Sequence, residues 1–389
     1  MNWLLPKGPF SFLLGIFFAS AATVASAASY TAVNLGTFGG KSAARDVNAN
    51  GQVAGFSDVS IGLASPHAFL YANNTLNDIH SFGNYSIAYG VNSTGDVTGS
   101  YSNFVASSQN VGFLYRNGTM TSLGALGGNF SEGLGINEQG QITGWAHTAS
   151  SQKRAFLYDS GPMINLGTLG GTTSTGNAIN ASGKVTGSST TATGETHAFL
   201  YSGGSMIDLG TLSGGTESNG LDININGHVV GNSTIAGSLN RAFLYDGNQM
   251  INLGTLNGHV HSYANGINSS GQIVGNSQPN GVGFPHAFLY SDGVMTDLNT
   301  LIDPSLGWEL ITAFGINDAG QITGDARING ELRPYLLTPV PEPSPALLAK
   351  LAGVMLLCFG SWRRKKSREL CLAESIGLIV RCRGERGEV

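Results

Sequence analysis

The chain has 389 residues, 57 of them glycine, with 41% apolar and 11% charged residues; this composition fits a folded, turn-rich β protein and argues against disorder. Residues 28–340 carry 9 Lys+Arg against 19 Asp+Glu, whereas residues 341–389 carry 9 against 5, and so acidic a body argues against nucleic-acid binding. The three cysteines, Cys358, Cys371 and Cys382, all lie in the basic tail, so no disulfide framework holds the body together.

Residues 1–27 read as a secretory signal peptide. Lys7 opens a short polar start, an apolar run extends from Phe10 to Ala22, and Ala25-Ser26-Ala27 has the small-x-small form that signal peptidase accepts after Sec export. Cleavage is expected after Ala27. The apolar run falls short of the ~20 residues that a spanning helix needs.

From residue 28 to 340 one unit recurs. The string I/V-N-x-x-G occurs seven times, with its asparagines at 48, 92, 137, 180, 224, 268 and 317, spaced 44, 45, 43, 44, 44 and 49 residues apart. A-F-L-Y or a variant follows in each unit, at Ala68, Gly112, Ala155, Ala198, Ala242, Ala287 and Pro334, and L-G-T-L or a degenerate form of it also occurs seven times. Each unit offers four short strand candidates divided by Gly and Asn turns, and none shows a helical stripe. Four antiparallel strands at a period of ~44 residues predict an all-β, seven-bladed propeller, with a β-solenoid as the alternative. The body begins mid-unit with the strand near Leu35 and ends mid-unit with the strand near Leu336. Those half-units complete one blade, which predicts closure of the ring by sheet hydrogen bonds.

The unit resembles the bacterial HAF repeat, named for the triplet seen at His67-Ala68-Phe69, His197-Ala198-Phe199 and His286-Ala287-Phe288. The resemblance covers Tyr30 to Leu337 and implies an extracellular location. In the other four units Val111, Arg154, Arg241 and Arg333 replace the histidine, so a ring of histidine ligands is not expected.

The two longer connections of each unit should emerge on one face, the candidate binding face. In or beside them lie Tyr101, Phe104, Trp145, Tyr263, Phe284 and Trp308, ring-stacking candidates for sugars whose alternative role is packing beneath their own loops. No nucleophile motif or zinc spacing appears, and neither a catalytic residue nor a cofactor is expected. His259 and His261 form the one close histidine pair, with i, i+2 spacing that puts both on one face of a strand. Asp46-Val-Asn48-Ala-Asn50-Gly51 and Asp222-Ile-Asn224-Ile-Asn226-Gly227 match half of a calcium loop but lack its closing acid, so a turn role is the simpler account. The alternative to a binding protein is a polysaccharide-acting enzyme using acids such as Asp58, Glu195 and Asp325.

At the C-terminal end, Pro341-Glu342-Pro343 precedes an apolar segment, Ala346 to Trp362, and Arg363-Arg364-Lys365-Lys366 follows. The segment is just long enough to cross a ~30 Å hydrocarbon core as a helix, with the cations held on the cytoplasmic side. This order over residues 341–366 resembles the PEP-CTERM sorting signal, whose implied partner is an exosortase acting at the Pro-Glu-Pro motif. Such signals end soon after the basic cluster, whereas residues 367–389 continue with mixed charge. The expectation is an exported, non-enzymatic propeller, transiently anchored in the inner membrane and then displayed on the surface or in an exopolysaccharide matrix.

Overall fold

Each repeat forms strands because short stretches of alternating apolar and polar residues are cut by glycine or asparagine turns. The computed structural model describes residues 30–61, 65–102 and 110–341. Ala25, Ala27, Phe104, Glu342, Pro343, the expected membrane helix, the Arg363–Lys366 cluster and residues 367–389 lie outside the described residues, of which Pro341 is the last. No helix among the described residues is long and apolar enough to cross a membrane.

The strands form seven four-stranded antiparallel sheets. In blade 1 the order from the axis outward is Ser42–Val47, Val53–Asp58, Pro66–Ala72 and Thr75–Asp78. Blades 2 to 6 occupy residues 85–124, 127–165, 170–210, 218–252 and 259–297 in the same order. Blade 7 takes Trp308–Ile316, Ile322–Ile328 and Glu331–Pro339 from the end of the body and Tyr30–Asn34 from its start. Tyr30 pairs with Pro339 and Val33 with Leu336, so the half-units do close one blade, and the solenoid alternative does not hold.

Two contacts repeat around the ring. The glycine of each Q-V-x-G string faces the aromatic ring of the F-L-Y string one strand out; a Cβ on Gly144 would overlap the Glu132 carbonyl oxygen and the Phe156 ring. Six phenylalanines, with Tyr335 in blade 7, are thereby fully buried. Serines on the innermost strands tie neighbouring blades: Ser86, Ser131, Ser174, Ser218 and Ser262 accept from the amides of Ala68, Gly112, Ala155, Ala198 and Ala242 at 2.8–2.9 Å.

The I-N-x-x-G asparagines do more than turn the chain. In each, Oδ1 accepts amide hydrogens from the following hairpin, as from Asn50 and Gln52 onto Asn48 at 3.0 and 2.9 Å. Each Nδ2 then donates to the backbone carbonyl of the next blade's asparagine, from Asn48 to Asn92 and onward, with Asn317 returning to Asn48, at distances of 2.7–3.2 Å. The result is a closed circle of seven side chains on the hairpin face.

The two faces differ. The hairpin face carries the asparagine circle and, around it, Asp96, Glu138, Asp159, Asp246, Asp292 and Asp318 against Arg116 and Lys184. The opposite face carries both longer connections of each blade, as the sequence predicts. The chain leaves the ring on the hairpin side, since Pro339 lies beside Gly320 and the Thr338 hydroxyl meets Gln321 at 3.3 Å.

Candidate functional site

The central channel is built from a repeated irregularity. In every blade the innermost strand carries a one-residue bulge, as between Ala44 and Asp46 or between Ala313 and Gly315. The extra residues are Arg45, Tyr89, Leu134, Asn177, Leu221, Asn265 and Phe314, and all seven line one cavity of about 150 Å³ on the axis. A bulge leaves its extra residue out of the ladder and re-aims it, so chemically unlike side chains meet here on an otherwise repetitive scaffold.

Asp46 and Asp222 stand next to the bulge in blades 1 and 5. Each carboxylate accepts from its own following amide, Val47 or Ile223, at 2.8 Å. Its other oxygen accepts from the next blade, Val91 at 2.9 Å or Ile267 at 2.8 Å. These are structural ties, in keeping with the turn account of the half calcium loops. Burial pushes Asp46 up to about 6 and Asp222 up to about 7, with the charge of Asp46 adding to the latter. Burial likewise raises Asp325 to about 7 against the pull of Arg45, whose guanidinium is 3.8 Å away and lies between the Phe56 and Phe314 rings.

Above the bulges, blades 2 and 3 form a polar and aromatic network. The Tyr85 hydroxyl donates to Asn110 Oδ1. Asn110 Nδ2 donates to Glu132 Oε1 at 2.8 Å, and Trp145 Nε1 donates to Glu132 Oε2 at 3.0 Å. Lys153 Nζ sits 4.6 Å from the centre of the Trp145 ring, His147 lies 5.5 Å from it, and Phe130 meets His147 edge-on at 5.1 Å. Tyr89 belongs to the same wall; burial pushes it up to about 12, with Glu132 adding. At the cross-strand positions of Glu132 and Trp145 the other blades carry Ala43 and Phe56, Ile87 and Ser100, Thr175 and Ser188, Asn219 and Asn232, Tyr263 and Asn276, and Thr312 and Asp325. Blade 3 alone places an acid opposite a tryptophan.

The other expected aromatics do not join this network. Tyr101 packs on Phe82 at 5.4 Å and on the core of blade 2. Tyr263 stands on the innermost strand of blade 6, and Trp308 packs on the core of blade 7. Phe284 is exposed beneath the Arg327 guanidinium at 4.1 Å. A bulge at Val260 breaks the i, i+2 alternation, so His261 accepts from the Asn240 amide of blade 5 while His259 meets His286 in its own blade. Asp58, Glu195 and Asp325 lie in blades 1, 4 and 7. Asp58 accepts from Ser65, Glu195 is 3.9 Å from His197, and Asp325 accepts from Ala44. Among the described residues no three His, Cys, Asp or Glu side chains are grouped to hold a metal. A shallower groove of about 380 Å³ at blade 5, lined by Leu212, Ser213, Ile235, Ala236, Met250 and Asn252, presents no titratable group.

The HAF histidines also have a local role. His67, His197 and His286 pair through Nδ1 with Asp78, Asp208 and Asp297 on the adjacent outer strand, at 2.8, 2.9 and 2.7 Å. Where the histidine is replaced by Arg154, Arg241 or Arg333, the partner position holds Asn165, Asn252 or Asn34. The arginines reach backbone carbonyls instead, Thr172 from Arg154 and Val260 from Arg241, so the aspartate accompanies histidine alone.

Fold and channel together define a closed seven-bladed β-propeller. No family model matches the sequence, and no curated protein matches it. Similar solved structures include the β-propeller domain of the Trilobed protease from Pyrococcus furiosus, which has an open velcro topology; it is 10% identical over 77% of this chain and 96% of that one, with a TM-score of 0.52. TolB from Acinetobacter baumannii is 10% identical with a TM-score of 0.43, over 74% of this chain, which spans 63% of TolB's own length. The gluconolactonase XC5397 from Xanthomonas campestris is 10% identical with a TM-score of 0.40, over 82% and 93%. At 10% identity the likeness to the Trilobed protease propeller is one of fold alone. In this chain, unlike a ring with an open velcro, Tyr30–Asn34 completes blade 7.

Proposed function

We propose that this chain is an exported, non-enzymatic binding propeller of the HAF-repeat type, sorted through its Pro341-Glu342-Pro343 motif and presented to an exopolysaccharide matrix. The observation that carries the reading is the division between the faces. The hairpin face carries the repeated asparagine circle and an excess of acids and is where the chain leaves the ring, whereas the opposite face gathers the variable loops, the channel mouth and the Tyr85–Asn110–Glu132–Trp145 network. A tail anchored at Pro341 therefore leaves the variable face free for a ligand, where several weak contacts with a polymer can add up.

The test is a glycan array probed with the ring, residues 28–340, run beside a depolymerisation assay on host exopolysaccharide. Binding without a fall in polymer length is expected. Depolymerisation would favour the enzyme alternative, and absence of binding would sink the reading. For the tail, mass spectrometry of the released protein should find the chain ending near Pro341. Intact Val389 on that form, or release unchanged after replacement of Pro341 and Glu342, overturns the sorting proposal.

A further inference from the structure

We propose that Trp145, Lys153 and His147 form a subsite for an acidic sugar, a pyranose bearing a carboxylate, with Glu132 as its positioning residue. The proposal rests on the binding reading above and names the ligand class at the channel mouth.

The argument starts from unmet hydrogen-bonding capacity. Lys153 is half-buried and its ammonium carries three donors. Among the described residues the ammonium makes no hydrogen bond or ion pair, and its one specific contact is the face of Trp145. Burial pushes Lys153 below the ordinary lysine range, while the charge of Glu132 acts in the opposite direction. Among the described residues the ring of His147, the cross-strand neighbour of Lys153, meets the Trp145 and Phe130 rings and makes no hydrogen bond. Two groups able to donate to an anion therefore stand side by side, walled by two aromatic rings, with no acceptor among the described residues. Partly desolvated donors without acceptors are costly to keep, and a ligand carboxylate supplies what they lack.

Glu132 accounts for the selectivity. Both its oxygens are engaged, one by Asn110 and one by Trp145, so it fixes the plane of the indole before any ligand arrives, which lowers the ordering cost of binding. Its negative charge beneath the site disfavours a dianion such as a phosphate monoester, whereas a single carboxylate meets Lys153 with less repulsion. The apolar face of the sugar covers the aromatic wall, and the carboxylate reaches Lys153 and His147. A role limited to packing Lys153 over Trp145 needs only the aliphatic stem, and this difference makes the proposal testable.

The experiment is titration calorimetry of the ring with oligogalacturonate and, separately, with a neutral cello-oligosaccharide of equal length. The ring closes through its own first and last strands, so it is used whole. The wild type should bind the uronide at least ~10-fold more tightly than the neutral chain. Lys153→Met, which keeps the stem on the indole, should abolish that preference, Trp145→Leu should weaken the uronide by ~10-fold or more, and Ile207→Ser, at an exposed position on the outermost strand of blade 4, should change nothing. Melting curves establish that each variant folds. If Lys153→Met and Trp145→Leu bind uronide like the wild type, or if the wild type shows no preference, the subsite is wrong while glycan binding elsewhere on the array leaves the wider reading standing. If the wild type binds no glycan at all, both fall.

Discussion

Replacing one asparagine of the circle tests the account of what holds the ring together. Asn180 is only 5% exposed. Its Oδ1 accepts from Ser182 at 3.0 Å and Lys184 at 3.1 Å, and its Nδ2 donates to the Asn224 carbonyl at 2.9 Å. Asn180→Ala removes all three bonds, each with a net worth of about 1 kcal/mol, while the Asn224 carbonyl keeps the Gly227 amide as a donor, so a loss of about 3 kcal/mol is expected. For a ring of roughly three hundred residues that corresponds to a melting temperature lower by about 5 °C. Asn180→Asp separates the two roles, because its carboxylate still accepts the turn amides but cannot donate to Asn224 while ionised. Its deficit relative to wild type should shrink by half or more between pH 7.5 and 4.5, where the protonated acid donates again. The assay is scanning calorimetry of residues 28–340 at both pH values. A melting point for Asn180→Ala within about 1 °C of wild type would refute the idea that the circle bears load.

Three further outcomes follow from the same structure. Gly144→Ala should destabilise the ring by about 3 kcal/mol in a urea melt, because its Cβ meets the Glu132 carbonyl and the Phe156 ring and neither can withdraw. Asp222 has a folded pKa of about 7, raised from 3.8, so its contribution is fully present below about pH 4 and is lost as pH rises towards 7. Asp222 is only half-buried at the channel wall, which moderates the shift, so Asp222→Gly should flatten the fall in stability between pH 5 and 8 by about 1–2 kcal/mol, and an unchanged slope would contradict a raised Asp222. Neither dithiothreitol nor EDTA should move the melting temperature of the ring by more than about 1 °C, since every cysteine lies beyond residue 340 and the oxygens of Asp46 and Asp222 are engaged by backbone amides; a shift of many degrees with EDTA would mean a bound metal.

The blades were legible in the sequence because their signals are local. Glycine and asparagine mark most turns, the recurring F-L-Y and I-N strings mark the strands, and the half-units at Leu35 and Leu336 announce closure. What was not legible depends on neighbours ~44 residues away. Asn48 reads as a turn residue, and nothing local shows its Nδ2 reaching the Asn92 carbonyl. The bulges escape because an extra residue such as Arg45 or Phe314 is recognisable only once the strand is paired. Trp145 reads as an aromatic near a loop, whereas nothing local marks Glu132 or Lys153; the signal lies in the comparison of units, since only the third sets an acid across from a tryptophan.

The asparagine circle also explains where this ring has room to vary. On the hairpin face each Nδ2 adds a second donor to its neighbour's carbonyl, which the glycine amide of its own turn also meets, so a change in one blade removes a tie to the next. All seven positions are therefore asparagine, whatever the blade does elsewhere. Along the channel the residues that flank each bulge are paired in the ladder, so the extra position carries Arg45, Tyr89, Asn177 or Phe314 without loss of register. The connection into blade 7 shows the same freedom in length: two short 3₁₀ turns, Leu298–Thr300 and Pro304–Leu306, are added there, capped by Asp297 and Asp303, while the ties of Asn268 to Asn317 and of Asn317 to Asn48 stay intact. A ring built in this way confines chemical novelty to the channel mouth and the variable loops. That is where the Glu132, Trp145 and Lys153 cluster stands, and where a search for the ligand should begin.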